Sequence, residues 1–148
     1  NSVLNTTNAY ICNSRPRRFG KSYAANMLAA YYSKGADSEK MFSELEIGKN
    51  EDFKKHLNKY DVIHIDIQWF LANCDDVDNV VKHIAEAVLD ELRVAYPGIL
   101  PPEIFSLPDA LSRIKDKTGQ KFIVIVDEWD VLIRDEAANK KAQEDYFL

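Results

Sequence analysis

The sequence predicts an α/β fold in which a parallel sheet is flanked by helices, and three observations predict it. Strand-like and helix-like segments alternate along the chain. In "KFIVIVDEWDVLI" the run Phe122 to Val126 is unbroken and apolar, as in a strand buried on both faces, and parallel sheets covered by helices supply such strands. Finally, a basic, turn-rich segment, "NSRPRRFGKS" (residues 13–22), stands between a short apolar run and a long helical pattern, giving the order strand, loop, helix.

The elements follow in order. Ala9 to Cys12 is the first strand, and Ser22 to Tyr32 continues without a breaker as the first helix, closed by Gly35. Residues 38–46 (SEKMFSELE) and 51–60 (EDFKKHLNKY) offer two short helical patterns, with Phe42 and Leu45 on one face and Phe53 and Leu57 on the other. "DVIHIDIQWF", residues 61–70, is rich in β-branched and aromatic residues and reads as the second strand. Asp75 or Asp76 then caps a helix in which Val77, Val80, Val81, Ile84, Val88, Leu89 and Leu92 recur at helical spacing until Pro97-Gly98 ends it. Pro97, Pro101, Pro102 and Pro108 mark an irregular connection. A short helix from Asp109 to Lys117 presents Leu111 and Ile114, Gly119 stops it, and the apolar strand follows.

A chain of 148 residues with 46% hydrophobic content can build one core. With 19 Lys+Arg against 24 Asp+Glu, for a net charge of -5, it is not built as a general nucleic-acid binder, and nucleic acid is not indicated as a partner. Arg15, Arg17, Arg18 and Lys21 make the only dense basic cluster, inside the turn. Cys12 and Cys74 have neither metal-site spacing nor the number for a disulfide framework, and read as buried or idle thiols in a reducing cytosol. No apolar run approaches the ~20 residues that span a bilayer, so a soluble cytoplasmic protein is expected. The chain starts at Asn1 without a methionine and is expected to be part of something longer.

The basic turn carries the chemistry. A nucleoside triphosphate is well solvated, so a protein must replace its water with many aimed donors, and a glycine turn running into a helix N-terminus does this with backbone N–H groups and the helix dipole. Gly20 lets the backbone approach phosphate, Lys21 reaches the β- and γ-phosphates, and the Ser22 hydroxyl ligates Mg²⁺. Arg15 stands where the usual loop has its first glycine and Pro16 has no N–H, so the cradle relies on the amides from about Arg17 to Ser22, through Arg18, Phe19, Gly20 and Lys21. The second half of such a site is a carboxylate at the end of a buried strand: Asp127 for the metal's water shell, then Glu128 where a general base polarises an attacking water. Ser22 and Asp127 suffice as protein ligands, because Mg²⁺ keeps several waters. Alone, a GKS triplet is weak; joined to a strand before it, a helix after it and a later apolar strand ending in Asp-Glu, it is specific.

Bland readings stand beside these. Arg17 and Arg18 touch phosphate or are solvated charge, and Phe19 packs in the loop rather than stacking on a base. His64 reads as a satisfied core histidine, while His56 and His83 fall on helical patterns with no ligand at i+4. Trp69 reads as packing. Asp130 is a helix cap or supports the metal's shell.

With "RPRRFGKS" and "VIVDEWD" in view, the chain resembles the AAA-ATPase-like family of predicted ATPases found in anaerobic bacteria. The loop match is complete from Arg15 to Ser22, Trp129 stands where the family has tyrosine, and "MFSELEI" (41–47) is similar to the family's F-x-x-L-x-I element. The resemblance implies a P-loop NTPase of AAA type, and it implies that arginine in place of the first glycine is normal for this loop. Residue by residue it implies Lys21 and Ser22 on phosphate and Mg²⁺, Asp127 on Mg²⁺ and Glu128 as the water-activating base, with ATP and ADP as ligands. Adenine follows from the family; the Asn-Lys-x-Asp signal for guanine does not occur. Family members often continue into a restriction-endonuclease-like nuclease domain, which would be the partner or effector.

In such ATPases the strand beside the phosphate-loop strand comes after the Asp-Glu strand. The chain is therefore expected to be the N-terminal part of a longer ATPase domain, without the sensor strand and any arginine finger. Three functions remain open: an Mg²⁺-dependent ATPase coupled to an effector, a P-loop kinase or other phosphotransferase, and a nucleotide-sensing module without turnover. A homo-oligomeric ring and a switch-like monomer are equally compatible with the sequence.

Overall fold

The computed structural model describes residues 11–12, 20–74 and 79–131. The chain divides into two compact units, Asn1–Val62 and Ile63–Leu148.

In the first unit α1 (Lys21–Tyr32) is followed by α2 (Glu39–Ser43), a 3-10 turn (Glu46–Lys49) and α3 (Phe53–His56). The core is aromatic: Tyr31 packs edge-on against Tyr32 and Phe42 at centroid distances of 4.8 and 5.3 Å and lies 5.9 Å from Phe53, while its hydroxyl donates to the Phe53 carbonyl at 2.7 Å. The polar end of each tyrosine must find a partner when the ring is buried, and this bond supplies Tyr31's. Of the expected apolar pairs, Phe42, Phe53 and Leu57 are buried, whereas Leu45 is exposed. The 3-10 turn winds back so tightly that a Cβ on Gly48 would sit 2.2 Å from the Ser43 carbonyl oxygen, so only glycine fits there.

α1 ends three residues ahead of Gly35. Its last carbonyls are claimed by Asn58, which sits at φ 53, in the left-handed region that Asn tolerates better than most residues. The Asn58 amide nitrogen donates to the carbonyls of Ser33 (2.9 Å) and Ala30 (3.1 Å), its backbone N–H to Tyr31 O (2.7 Å), and its Oδ1 accepts from the Ser38 hydroxyl (3.2 Å). The Ser38 hydroxyl also lies 2.8 Å from Ala30 O. A parallel bridge between Ser33 and Tyr60, and the Lys34–Asp61 ion pair at 2.6 Å, fasten the same corner. His56, 3% exposed, is the core histidine of the chain: its Nδ1 lies 2.6 Å from the Tyr60 hydroxyl, and its Nε2 has no partner.

The second unit carries most of β1 (Asp61–Asp66), then α4 (Ile67–Ala72), α5 (Val80–Ala95), α6 (Leu107–Thr118) and β2 (Phe122–Asp127). β1 and β2 pair in a parallel two-stranded sheet. The expected second strand therefore stops at Asp66 and does not run to Phe70. The cause is local: the Asp66 carboxylate accepts the Trp69 amide at 3.0 Å, an N-cap that starts a helix where composition alone suggested strand. α5 begins at Val80 with Asn79 in the capping position; Asp75, Asp76 and Val77 lie outside the described residues. α6 starts earlier than expected because Ser106 caps it at Asp109 N and Pro108 occupies its first turn, and it ends at Gly119 in the left-handed conformation. The core joins Ile65 and Ile67 to Val80, Ile84, Val88, Leu89 and Leu92 of α5 and to Ala110 and Ile114 of α6.

Three burial expectations are corrected. Val124 and Val126 of β2 are 47% and 39% exposed, so among the described residues the strand is not covered on both faces. His64 is exposed, because it alternates with the inward Ile63 and Ile65, and Trp69 is 59% exposed, touching Phe70 edge-on at 5.0 Å. No helix among the described residues is long and apolar enough to cross a membrane.

Candidate functional site

Of the residues expected to bind phosphate, Gly20, Lys21 and Ser22 are described, and Arg15 to Phe19, Arg17 and Arg18 included, lie outside the described residues. Ala9 and Tyr10 of the expected first strand also lie outside. Ile11 and Cys12 have no regular structure and both are exposed, so Cys12 is not a buried thiol.

Gly20 is the residue before α1 and takes φ 73, ψ 29. A Cβ there would meet nothing within 4 Å, so the demand for glycine is set by the backbone and not by crowding. Lys21 and Ser22 form the first turn of the helix, Lys21 half-buried and Ser22 exposed. Among the described residues no side chain caps this terminus, and no acidic residue lies in the first turn. Helices of this length usually carry an N-capping side chain or acid, since their first amides point outward with partial positive charge. A terminus without either, carrying a lysine and a hydroxyl, suits an anion, and a phosphate chain with its magnesium is an anion of that kind.

In the second unit Asp127 ends β2 and is 7% exposed. Its Oδ1 accepts the Glu128 amide at 2.9 Å, and the local chain then turns, with Val131 N donating to Glu128 O at 3.0 Å. Glu128 sits at φ 51, unusual for a side chain without glycine's freedom. That turn points successive side chains, Asp127 and Glu128, out of strand alternation at the carboxyl end of the strand. Ligands of α/β sheets gather at this edge. α4 packs on β2, and Asp66 ends the neighbouring strand at the same edge, its carboxylate committed to capping α4. Asp130 is half-buried and Trp129 is 37% exposed. No group of three or more His, Cys, Asp or Glu side chains gathers among the described residues.

A family model described as AAA-ATPase_like, "Predicted AAA-ATPase", matches residues 2–147. The chain belongs to the AAA-ATPase-like family. No curated protein matches it, and no solved structure does. Membership supports a general ATPase reading for this AAA-ATPase-like chain.

Sequence reasoning missed Asn58 and the pairing of Cys74 with His83, described below. Neither left a signal in the spacing of residue types along the chain.

Proposed function

We propose that this AAA-ATPase-like chain is a P-loop NTPase domain that binds ATP with Mg²⁺ and hydrolyses it, passing its nucleotide state to an attached effector. The observation that carries this is the opening of α1: a left-handed glycine, no capping side chain among the described residues, no acid in the first turn, and Lys21-Ser22 next in line, in a chain whose family is described as ATPase.

In this reading Lys21 holds the β- and γ-phosphates and offsets charge that grows on them during transfer. The amides from Arg17 to Ser22 and the dipole of α1 orient the phosphate chain, with the Arg17 and Arg18 side chains adding charge and Phe19 packing the loop. Ser22 and Asp127 would hold the metal. Bound Mg²⁺ supplies neutralisation of the phosphate oxygens. Glu128 would accept the proton of the attacking water, a role that its position at the turn after β2 supports. A carboxylate base next to the metal carboxylate favours transfer to water over transfer to a bound acceptor.

The test is ATP binding by calorimetry, with and without Mg²⁺, on the parent and Lys21→Ala, followed by phosphate release from the parent and Glu128→Gln. Equal binding by parent and Lys21→Ala removes the GKS turn as the site. Binding without phosphate release in the parent leaves a nucleotide sensor, and a phosphorylated acceptor would make the protein a kinase.

A further inference from the structure

Outside the proposed nucleotide site, one pair of side chains has the makings of chemistry. Cys74 follows α4 and His83 lies in the first turns of α5, and packing of these two helices brings the Cys74 Sγ to 2.9 Å from His83 Nδ1. Cys74 is half-buried against the core of the second unit, while His83 is exposed. The contact is short for a neutral thiol donating to nitrogen, and Nδ1 accepts that proton in the tautomer that carries the ring's own proton on Nε2.

We infer that Cys74 and His83 form a thiol–imidazole pair that makes Cys74 a site of exchange with small disulfides. Three features point the same way. The thiolate, not the thiol, is the nucleophile, and a base within hydrogen-bond reach forms it without waiting for solvent. The base is fixed on a 16-residue helix whose Val80, Ile84 and Val88 are buried in the core, so its position does not depend on a loop. Cys74 is half-buried, whereas a fully buried thiol would be inert.

The step balances within the pair and its reagent. The Sγ proton passes to His83 Nδ1, and the sulfur attacks one sulfur of the small disulfide. That S–S bond breaks as a new one forms to Cys74. The other sulfur leaves as thiolate and takes the proton back from Nδ1. Cys74 is oxidised to a mixed disulfide, and half of the reagent is reduced to thiol.

The test uses the full chain with Cys12→Ser, so that Cys74 is the one thiol. The probe is the aromatic disulfide dithionitrobenzoate, followed at pH 7 by release of its coloured thiol. At that pH an ordinary thiol is only about 3% thiolate, so pairing leaves room for roughly a tenfold gain in rate. The native chain should react about tenfold faster than the same chain unfolded in urea, each corrected by glutathione in the same solvent. His83→Gln and His83→Phe, checked for folding by circular dichroism, should fall to the unfolded rate. A native rate at or below the unfolded one overturns the proposal without needing any His83 variant to fold. Equal rates in parent and folded His83 variants overturn it as well.

Discussion

Replacing Asn58 by alanine should destabilise the first unit by about 3–4 kcal/mol. Asn58 has two side-chain N–H groups, and the geometry gives them the Ser33 and Ala30 carbonyls at 2.9 and 3.1 Å; its Oδ1 accepts from the Ser38 hydroxyl at 3.2 Å. Three partly buried bonds lost at about 1 kcal/mol each give close to 3 kcal/mol. Alanine at φ 53 adds about 1 kcal/mol of backbone strain. The backbone bond from residue 58 N to Tyr31 O, at 2.7 Å, survives either way. Glycine at the same position loses the side-chain bonds but not the conformation, so Asn58→Gly should recover about 1 kcal/mol relative to alanine. Urea unfolding of the full chain, followed by far-ultraviolet circular dichroism, reads the difference. With slopes of about 1–3 kcal/mol per molar urea, the alanine midpoint should drop by more than about 1 M. A drop under about 0.3 M would mean that water replaces the side chain at the end of α1 and that the bonds described here hold nothing in place. Equal midpoints for Ala and Gly would refute the strain component.

Other outcomes are expected. Lys21→Ala should weaken ATP binding by about 2–3 kcal/mol, roughly 30- to 150-fold by calorimetry, with circular dichroism unchanged. Glu128→Gln should keep ATP affinity and lower phosphate release by about 10²- to 10⁴-fold. Ile114→Ala, at a fully buried position in α6, should cost about 2–5 kcal/mol in urea unfolding, whereas Val124→Thr on the exposed part of β2 should stay within about 0.5 kcal/mol. His56 has a lowered pKa, caused first by burial and then by Lys55, with Asp52 opposing. The unfolded chain therefore binds its proton first, and stability should be full above about pH 6.5 and fall below it, by at most about 1.4 kcal/mol per pH unit. His56→Phe should flatten that part of the stability profile.

The long helices and their stops were legible because α5 and α6 bury one stripe each and end at breakers the sequence displays, Pro97-Gly98 and Gly119. What misled was residue type read without its neighbours' hydrogen bonds. Ile67 to Phe70 has strand composition, yet one carboxylate, Asp66, turns it into helix. The histidines exchanged roles: His64 lies on the outward side of a strand, and His56, on a pattern too short to show a face, is the buried one. The valines of β2 looked like core because composition cannot tell which face a sheet leaves uncovered. In the candidate site, Gly20, Lys21, Ser22, Asp127 and Glu128 were legible as a pattern of types, while the left-handed turn at Glu128 was not, since nothing about glutamate announces it. Asn58 and the Cys74–His83 pair depend on chain segments meeting across helices, and single-sequence spacing carries no such signal.

Among the described residues α1 is finished at one end only. Asn58, Ser38 and the Ser33–Tyr60 bridge close its carbonyl end, and at Gly20 no described side chain does the same for its amide end. An anion seated there would serve as the helix's cap, so its binding and the winding of the first turn would be one event measured twice. Ligand at about a hundred times its dissociation constant adds about 2.7 kcal/mol to the folded state by mass action. The first unit of an ATP-binding chain built this way would melt at a temperature set by the nucleotide concentration around it, and a thermal shift would report occupancy with no label on the ligand.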